Sequence, residues 1–441
     1  PAAARTWLLL IFLLPWPGFL LYAIIGRIKF PAWRVARQRT VSGMILEWQG
    51  RHPLPAPTSV HGGRVPELVL ALGDFRPLEG NTIELLPDYD ASILRLVEAI
   101  DGARQSVHLL YYIFADDDRG GRVVEALLRA RARGVECRVL VDAVGSRKFA
   151  LVELLKKLLD AGIPAHEALP AGIFRRNAAR FDLRNHRKVA VIDNCVGFTG
   201  SQNLVNPGFV PGYPNEELVA RVTGPAVIQL QAVFLEDWYF ETGDLPANPD
   251  ALEMPVPTGG SAAQVLPSGP GYERENAQEL LVHLFHLAQR RIVITTPYFV
   301  PDVPFLQALR TAVRRGVEVR LVVAKPVDKW VMGLAQRSYF DELLSAGVHI
   351  HLYRPHFLHA KHVSIDDDIA IVGSVNMDIR SFALNAEVAL VVYDPAVVTA
   401  MRTVQERYFA DSVELTSEAW AQRPLWLRVA QNTARLGDSL L

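Results

Sequence analysis

The sequence predicts an α/β protein: two tandem α/β repeats with mixed sheets, packed about a pseudo-twofold axis behind an N-terminal transmembrane helix. Three observations predict it. From Pro53 onward, helix-like and strand-like runs alternate. Stretches of the first half then recur in the second: "RGVECRVLVD" (133–142) is answered by "RGVEVRLVVA" (315–324), and "LLDAGIPAH" (158–166) by "LLSAGVHIH" (343–351). Finally, "TWLLLIFLLPWPGFLLYAIIG" runs from Thr6 to Gly26, 21 residues without a charge. At about 1.5 Å per residue that is long enough to cross a hydrocarbon core.

In chain order, residues 1–30 read as the transmembrane segment. The competing reading is a cleaved signal peptide. The run is long for one and lacks a small-x-small site after it. It is followed by Arg27, Lys29, Arg34, Arg37 and Arg39, a basic flank that puts the rest of the chain on the cytoplasmic side. Pro15 and Pro17 can kink such a helix, which leaves a re-entrant hairpin as the alternative. The chain begins with Pro1 rather than Met, so an upstream segment is expected.

Residues 31–65 form a basic juxtamembrane linker in this reading, 66–242 the first repeat, 243–262 a Pro/Gly/Ser-rich linker and 263–412 the second repeat. Each repeat opens with a strand, "SVHLLYYIF" (106–114) or "RIVITTPYFV" (291–300), followed by a helix and the Arg-Gly-Val-Glu strand. A second helix comes next, at 149–162 and 333–347. In the C-terminal part, 413–441, "RPLWLRVAQNTARLG" reads either as an interfacial amphipathic helix or as a terminal packing helix.

Composition narrows the function. Lys plus Arg number 46 against 47 Asp plus Glu, so no global field favours nucleic acid, and none is expected as a partner. Cys137 and Cys195 lie in apolar runs that read as strands, where a small buried thiol is ordinary and no disulfide is expected.

The chemistry is in a duplicated signature. His186, Lys188, Asp193, Gly200, Ser201 and Asn203 match His359, Lys361, Asp366, Gly373, Ser374 and Asn376, each pair 173 residues apart without a gap. Further on, "NEE" (215–217) and "NAE" (385–387) align after a loop three residues longer in the first copy. Either stretch alone could be a packed strand with an incidental histidine. Duplication explains why a fold recurs; it does not explain why the reactive side chains stayed while neighbours such as Arg187 and Ala360 diverged.

Residues two apart on a strand share a face, so His186 projects with Lys188, and His359 with Lys361. If the two faces oppose, two imidazoles and two ammonium groups meet in one cleft. With Asn203, Asn376, Ser201 and Ser374 they make an electropositive cradle for a phosphate diester. One imidazole, neutral, attacks phosphorus; the other, protonated, donates to the departing alkoxide. Each needs a partner on its second nitrogen to fix its tautomer, and Glu217 and Glu387 are the candidates.

The doubled His-x-Lys-x4-Asp-x6-Gly-Ser-x-Asn signature resembles the phospholipase D superfamily over about residues 66–410. "TPYFVPD" (296–302), "RNHRK" (184–188), "NMDIRSFALNAE" (376–387) and the basic-flanked N-terminal segment resemble bacterial cardiolipin synthases. Family members usually carry two membrane helices, of which one is read here.

The resemblance implies transfer of a phosphatidyl group from one phosphatidylglycerol to another with release of glycerol, through a phosphohistidine and without a cofactor or metal. It makes His186 or His359 the nucleophile, with His186 favoured by analogy. Lys188, Lys361, Asn203 and Asn376 hold phosphoryl oxygens, and Glu387 orients a histidine more securely than Glu217, whose spacing departs. Asp193 and Asp366 belong to the catalytic motif but tend to be structural in the superfamily. Expected partners are phosphatidylglycerol, other anionic phospholipids and the bacterial cytoplasmic membrane, with the oligomeric state open and a homodimer the one option named.

Two rival functions use the same features. A membrane-bound phospholipase D or phosphodiesterase would hydrolyse the same kind of bond, and only the acceptor differs. A non-enzymatic scaffold with a decayed site is opposed by two complete motifs. His349, His351, His356, His359 and His362 crowd one stretch, but only His359 has a counterpart, so no metal is expected. The segment 172–186, with Arg175, Arg176, Arg180 and Arg184, reads as a solvated loop or as a rim that draws in anionic head groups.

Overall fold

The computed structural model describes residues 2–26, 30–52, 54–57, 63–170, 182–245, 253–272 and 275–437. The first repeat supplies β1 (Leu78–Leu86), β2 (Ser106–Tyr111), β3 (Glu136–Asp142), β4 (Ala165–Ala168), β5 (Arg184–Asn185), β6 (Lys188–Ile192), β7 (Val196–Gly200), β8 (Asn215–Glu216) and β9 (Val219–Thr223). The second supplies β10 (Ser261–Ser268), β11 (Arg291–Thr295), β12 (Phe299–Val300), β13 (Glu318–Ala324), β14 (His349–Tyr353), β15 (Phe357–Leu358), β16 (His362–Ile365), β17 (Ile369–Gly373), β18 (Met377–Asp378), β19 (Asn385–Val392) and β20 (Ser412–Leu415).

These strands are mixed in direction, as expected. In each repeat, parallel pairs (β2 with β3, β11 with β13) adjoin antiparallel ones (β2 with β6, β11 with β16). The two halves are joined edge to edge: β1 pairs with both β9 and β10, and β10 with β19, so the sheet runs on from one repeat to the next. Strand β7 also packs on β17 and β19, which brings the two signature regions together. Cys137 is buried in β3, whereas Cys195 is exposed in the β6–β7 turn and not inside a strand.

The N terminus departs from expectation. Among the described residues no helix is long and apolar enough to cross a membrane. The uncharged run is instead two helices, α1 (Ala2–Leu13) and α2 (Pro15–Ile25), of 12 and 11 residues. At helical rise each spans roughly half of the ~30 Å hydrocarbon thickness. Pro15 stands at the start of α2, where its missing N–H costs nothing, and Leu14 leaves the helical region at φ −133°, ψ 76°.

The two helices fold back on one another. Trp7 packs edge-on against Tyr22 with ring centroids 5.6 Å apart, and a Cβ at Gly18 would come within 2.9 Å of Ile11 Cα. The expected transmembrane helix is therefore replaced by a hairpin, because a run rich in apolar residues gives the same sequence signal in either arrangement.

The stretch read as a basic linker is also structured. Helix α3 (Ala32–Arg51) lies along the helix Val227–Thr242. Arg34 is buried and donates to both oxygens of Glu241 at 2.8 and 2.7 Å. Arg37 donates to the carbonyls of Tyr239 and Phe240 at 2.9 and 3.0 Å, capping the C-terminal turn of that helix. These arginines serve the fold, not a head-group layer. Arg27 and Lys29 lie outside the described residues.

Smaller readings shift too. The helix expected over 333–347 is broken at Tyr339 into Trp330–Ser338 and Phe340–Ala346. The strand expected over 291–300 is split into β11 and β12, the second of which pairs with β18. The C-terminal helix Leu425–Arg435 packs on Trp330–Ser338, yet leaves Leu425, Trp426 and Val429 exposed. Thr6 of α1 donates to the carbonyl of Leu436 at 3.0 Å, so the hairpin and this helix are neighbours.

Candidate active site

Strand register carries each histidine to the repeat boundary. β5 pairs in parallel with the start of β19, and the His186 amide donates to Ala386 O at 2.8 Å. In the other half β15 pairs in parallel with β8, and the His359 amide donates to Glu216 O at 2.8 Å. Each histidine is thus delivered by a strand held against the glutamate-bearing strand of the opposite repeat.

The side chains cross in the same way. His186 Nδ1 lies 2.9 and 3.0 Å from the oxygens of Glu387, and His359 Nδ1 lies 2.7 Å from Glu217 Oε1. With Nδ1 engaged, the other ring nitrogen is left to face the cleft. Aromatic edges hold the rings: Tyr112 meets His186 at 4.8 Å between centroids, and Phe209 meets His359 at 5.2 Å. Both imidazoles line one cleft of about 870 Å³, together with Asn203 and Asn376.

The signature glycines explain how the serines reach their places. A Cβ on Gly200 would come 2.3 Å from Leu218 O, and one on Gly373 2.2 Å from Val388 O. Only glycine lets these strands lie so close to the glutamate strands. Ser201 Oγ then accepts from Leu218 N, and Ser374 Oγ accepts from Val388 N while donating to Glu387. Neither serine lines the cleft. Their spacing suggests contact with substrate, but their hydrogen bonds are used in fixing the segments that carry the glutamates.

Lys188 and Lys361 are buried, and each donates to the carbonyl of the histidine two residues before it at 2.6 Å. Burial brings Lys188 down to about 7 and Lys361 down to about 8, with both glutamates opposing. The imidazoles are pushed down as well. Burial, reinforced by Lys188, Lys361 and the other histidine, holds His186 well below the usual range. Burial takes His359 to about 4 against the pull of Glu217.

The two glutamates respond oppositely. Burial raises Glu387 to about 7, whereas for Glu217 the effect of burial is outweighed by His359 and Lys361, and its pKa falls. Asn203 Oδ1 accepts from Ile113 N at 3.1 Å, while Asn376 Oδ1 is buried and has no hydrogen-bond partner among the described residues.

Asp193 and Asp366 do not join this group. Both sit in the left-handed region, at φ 52° and 49°, in the turn after the signature strand. Asp193 accepts from the amides of Arg104, Gln105 and Ser106, and Asp366 from those of Gln289, Arg290 and Arg291. Five residues of strand beyond each lysine put them roughly 16 Å from it. Their repeated spacing anchors a turn in each half, which corrects their grouping with the catalytic residues.

Several lining residues lay outside the signature: Tyr112, Arg147, Lys148, Phe209, Asp328 and Lys329. Asp142 was missed as well. It is buried and accepts from the Asn185 amide at 2.8 Å, bracing the approach to His186. Arg184, read as part of a basic rim, is buried against Asp142 and Leu169 O. Arg175, Arg176 and Arg180 lie outside the described residues. The five crowded histidines part ways: His349 meets Glu414, His356 meets Glu216, and His351 packs on Phe409. Among the described residues no group of three or more metal-binding side chains gathers.

Comparison with known proteins agrees with this doubled site. The family model described as "Cardiolipin synthase, PLD-like domain" matches residues 96–238 and 281–409, one match in each repeat. Cardiolipin synthase A of Yersinia pseudotuberculosis serotype O:1b (strain IP 31758) is 35% identical, covering 97% of this chain and 91% of its own. The same figures hold for Cardiolipin synthase A of Yersinia pestis. In fold, the chain is similar to the crystal structure of a phosphatidylserine synthase from Haemophilus influenzae Rd KW20. That likeness has a TM-score of 0.65 and 16% identity, and covers 86% of this chain and all of the other. The chain therefore belongs to the cardiolipin synthase family, phosphatidyltransferases of the phospholipase D superfamily.

Proposed function

We propose that this enzyme transfers a phosphatidyl group from one phosphatidylglycerol to a second, releasing glycerol and forming cardiolipin through a phosphohistidine. The observation that carries the proposal is the reciprocal pairing of His186 with Glu387 and His359 with Glu217 around one cleft. His186, which burial and the nearby lysines hold in its neutral form, is the nucleophile. Its Nδ1–H donates to Glu387, which leaves the Nε2 lone pair to attack phosphorus. The bond from phosphorus to the glycerol oxygen breaks as His359 gives that oxygen a proton.

His359 is the better acid because Glu217, whose carboxylate is favoured, stabilises the imidazolium. The negative charge of bound substrate adds to this by raising its proton affinity. In the second half, the glycerol hydroxyl of another phosphatidylglycerol yields its proton to His359 and attacks phosphorus, and the P–N bond breaks. Lys188, Lys361, Asn203 and Asn376 stabilise the phosphoryl oxygens as charge builds.

Contact with the bilayer is supported by the exposed apolar side chains of the N-terminal hairpin (Phe12, Trp16, Phe19) and of the neighbouring C-terminal helix (Leu425, Trp426). The test is purified protein with phosphatidylglycerol vesicles, measuring cardiolipin, glycerol and phosphatidic acid. Equimolar cardiolipin and glycerol is expected. Phosphatidic acid without cardiolipin would make the enzyme a hydrolase.

A further inference from the structure

Arg147 and Lys329 are 182 residues apart, the same offset that relates β3 to β13, and each stands five residues beyond the end of its strand. They are equivalent positions of the two repeats, outside the His-Lys-Asp signature, and both line the cleft. The residue before each is pinned to the segment that follows β2 or its counterpart β11. Ser146 Oγ donates to Tyr112 O and accepts from Phe114 N, and Asp328 accepts from the Tyr298 hydroxyl. Lys329 Nζ lies 5.1 Å from the Tyr298 ring centroid. Lys148 lines the cleft beside Arg147.

These three cations are exposed, and none has a carboxylate within ion-pair distance among the described residues. The acidic residues that line the same cleft are engaged elsewhere: Asp328 with Tyr298, and Asp378 with the Ser381 amide. The duplicated placement leaves positive charge facing the cleft that His186 and His359 line, apart from the buried Lys188 and Lys361 that the proposed function assigns to the reacting phosphate.

Phosphatidyl transfer, the reading on which this rests, poses a charge problem that those two lysines do not solve. The acceptor is itself a phosphate diester. It must approach a loaded anionic phosphoenzyme, with its own phosphate one glycerol length from the reacting phosphorus. Two phosphates at that range repel in a partly desolvated cleft unless a cation stands beside the second. Water or a neutral alcohol brings no such charge.

We infer that Arg147 and Lys329, with Lys148, form outer anion subsites that hold the phosphate diester of the acceptor lipid while its glycerol hydroxyl attacks the phosphatidyl-histidine. Once one histidine is loaded the two positions differ. One flanks the bound diacylglycerol, and the other flanks the place vacated by glycerol, where the acceptor enters.

The experiment supplies the full chain with labelled phosphatidylglycerol vesicles plus ethanol, and reads the ratio of cardiolipin to phosphatidylethanol. In R147Q/K329Q the ratio falls at least tenfold relative to wild type. R147K/K329R restores it to within about threefold, with the two single variants unequal. A ratio in R147Q/K329Q within twofold of wild type, whatever the total rate, overturns the inference. Wild-type protein that makes phosphatidylethanol but no cardiolipin removes the phosphatidylglycerol-acceptor reading itself, and the inference with it, so the two failures are told apart by the wild-type lane.

Discussion

The Nδ1 atom of His359 lies 2.7 Å from Glu217, a residue of the other repeat and 142 positions away in sequence. The reciprocal bond from His186 to Glu387 spans 201 positions. Each histidine thus takes the carboxylate on its Nδ1 from the other repeat, even though each repeat carries a full signature.

Glu217→Gln and Glu387→Gln should each lower kcat by about 100-fold or more, since an amide can favour the wrong tautomer and cannot stabilise an imidazolium. Steady-state transfer with phosphatidylglycerol measures this. Wild-type turnover in E217Q would show that the three-residue-longer loop before Glu217 had cost it its part.

Anion binding should weaken as pH rises. A lysine attracts an anion only while protonated, and burial has brought Lys188 and Lys361 to about 7 and 8. Affinity is therefore full below about pH 7 and falls as pH climbs through both values, by up to about tenfold per lysine for each further unit. Sulfate, whose charge is constant over this range, is a suitable probe by calorimetry. An affinity unchanged up to about pH 9.5 would mean that both ammonium groups keep ordinary proton affinity.

Asp366→Ala strips the acceptor from three backbone amides in a left-handed turn. The loss should be about 1–3 kcal/mol in unfolding free energy, read from the denaturant midpoint. Asp193→Ala should do the same in the other repeat. A fall in kcat at unchanged stability would return these aspartates to the chemistry.

Arg34→Ala should cost about 3–5 kcal/mol, because it leaves the Glu241 carboxylate buried without its bidentate partner. Equilibrium unfolding with and without the substitution decides it. A change below about 1 kcal/mol would detach α3 from the account of the fold.

What could be read from sequence divides along a physical line. His186, Lys188 and Asn203 were legible because their partners in the second copy repeat the same spacing, and a strand period of two puts histidine and lysine on one face. Glu217 was blurred by an insertion that the fold absorbs in the loop before β8. Ser201 and Ser374 were legible as positions but not as roles, since their hydrogen bonds depend on how closely Gly200 and Gly373 let two strands approach. Tyr112, Phe209 and Asp142 carry no local pattern and gain meaning only from tertiary neighbours. At the N terminus, composition recorded apolarity correctly but could not tell one long helix from two short ones closed on Trp7 and Tyr22. Arg34 and Arg37 looked like a membrane flank because charge alone does not reveal a buried acceptor such as Glu241.

In the proposed mechanism two imidazoles from separate repeats serve one phosphorus atom. Acid-quenched single turnover with labelled phosphatidylglycerol, followed by peptide mapping, tests it directly. At most one label per chain is predicted, on the peptide containing His186, with the label retained longer in His359→Ala and absent in His186→Ala. Two labels per chain, one on each histidine, would mean two independent sites and would contradict it.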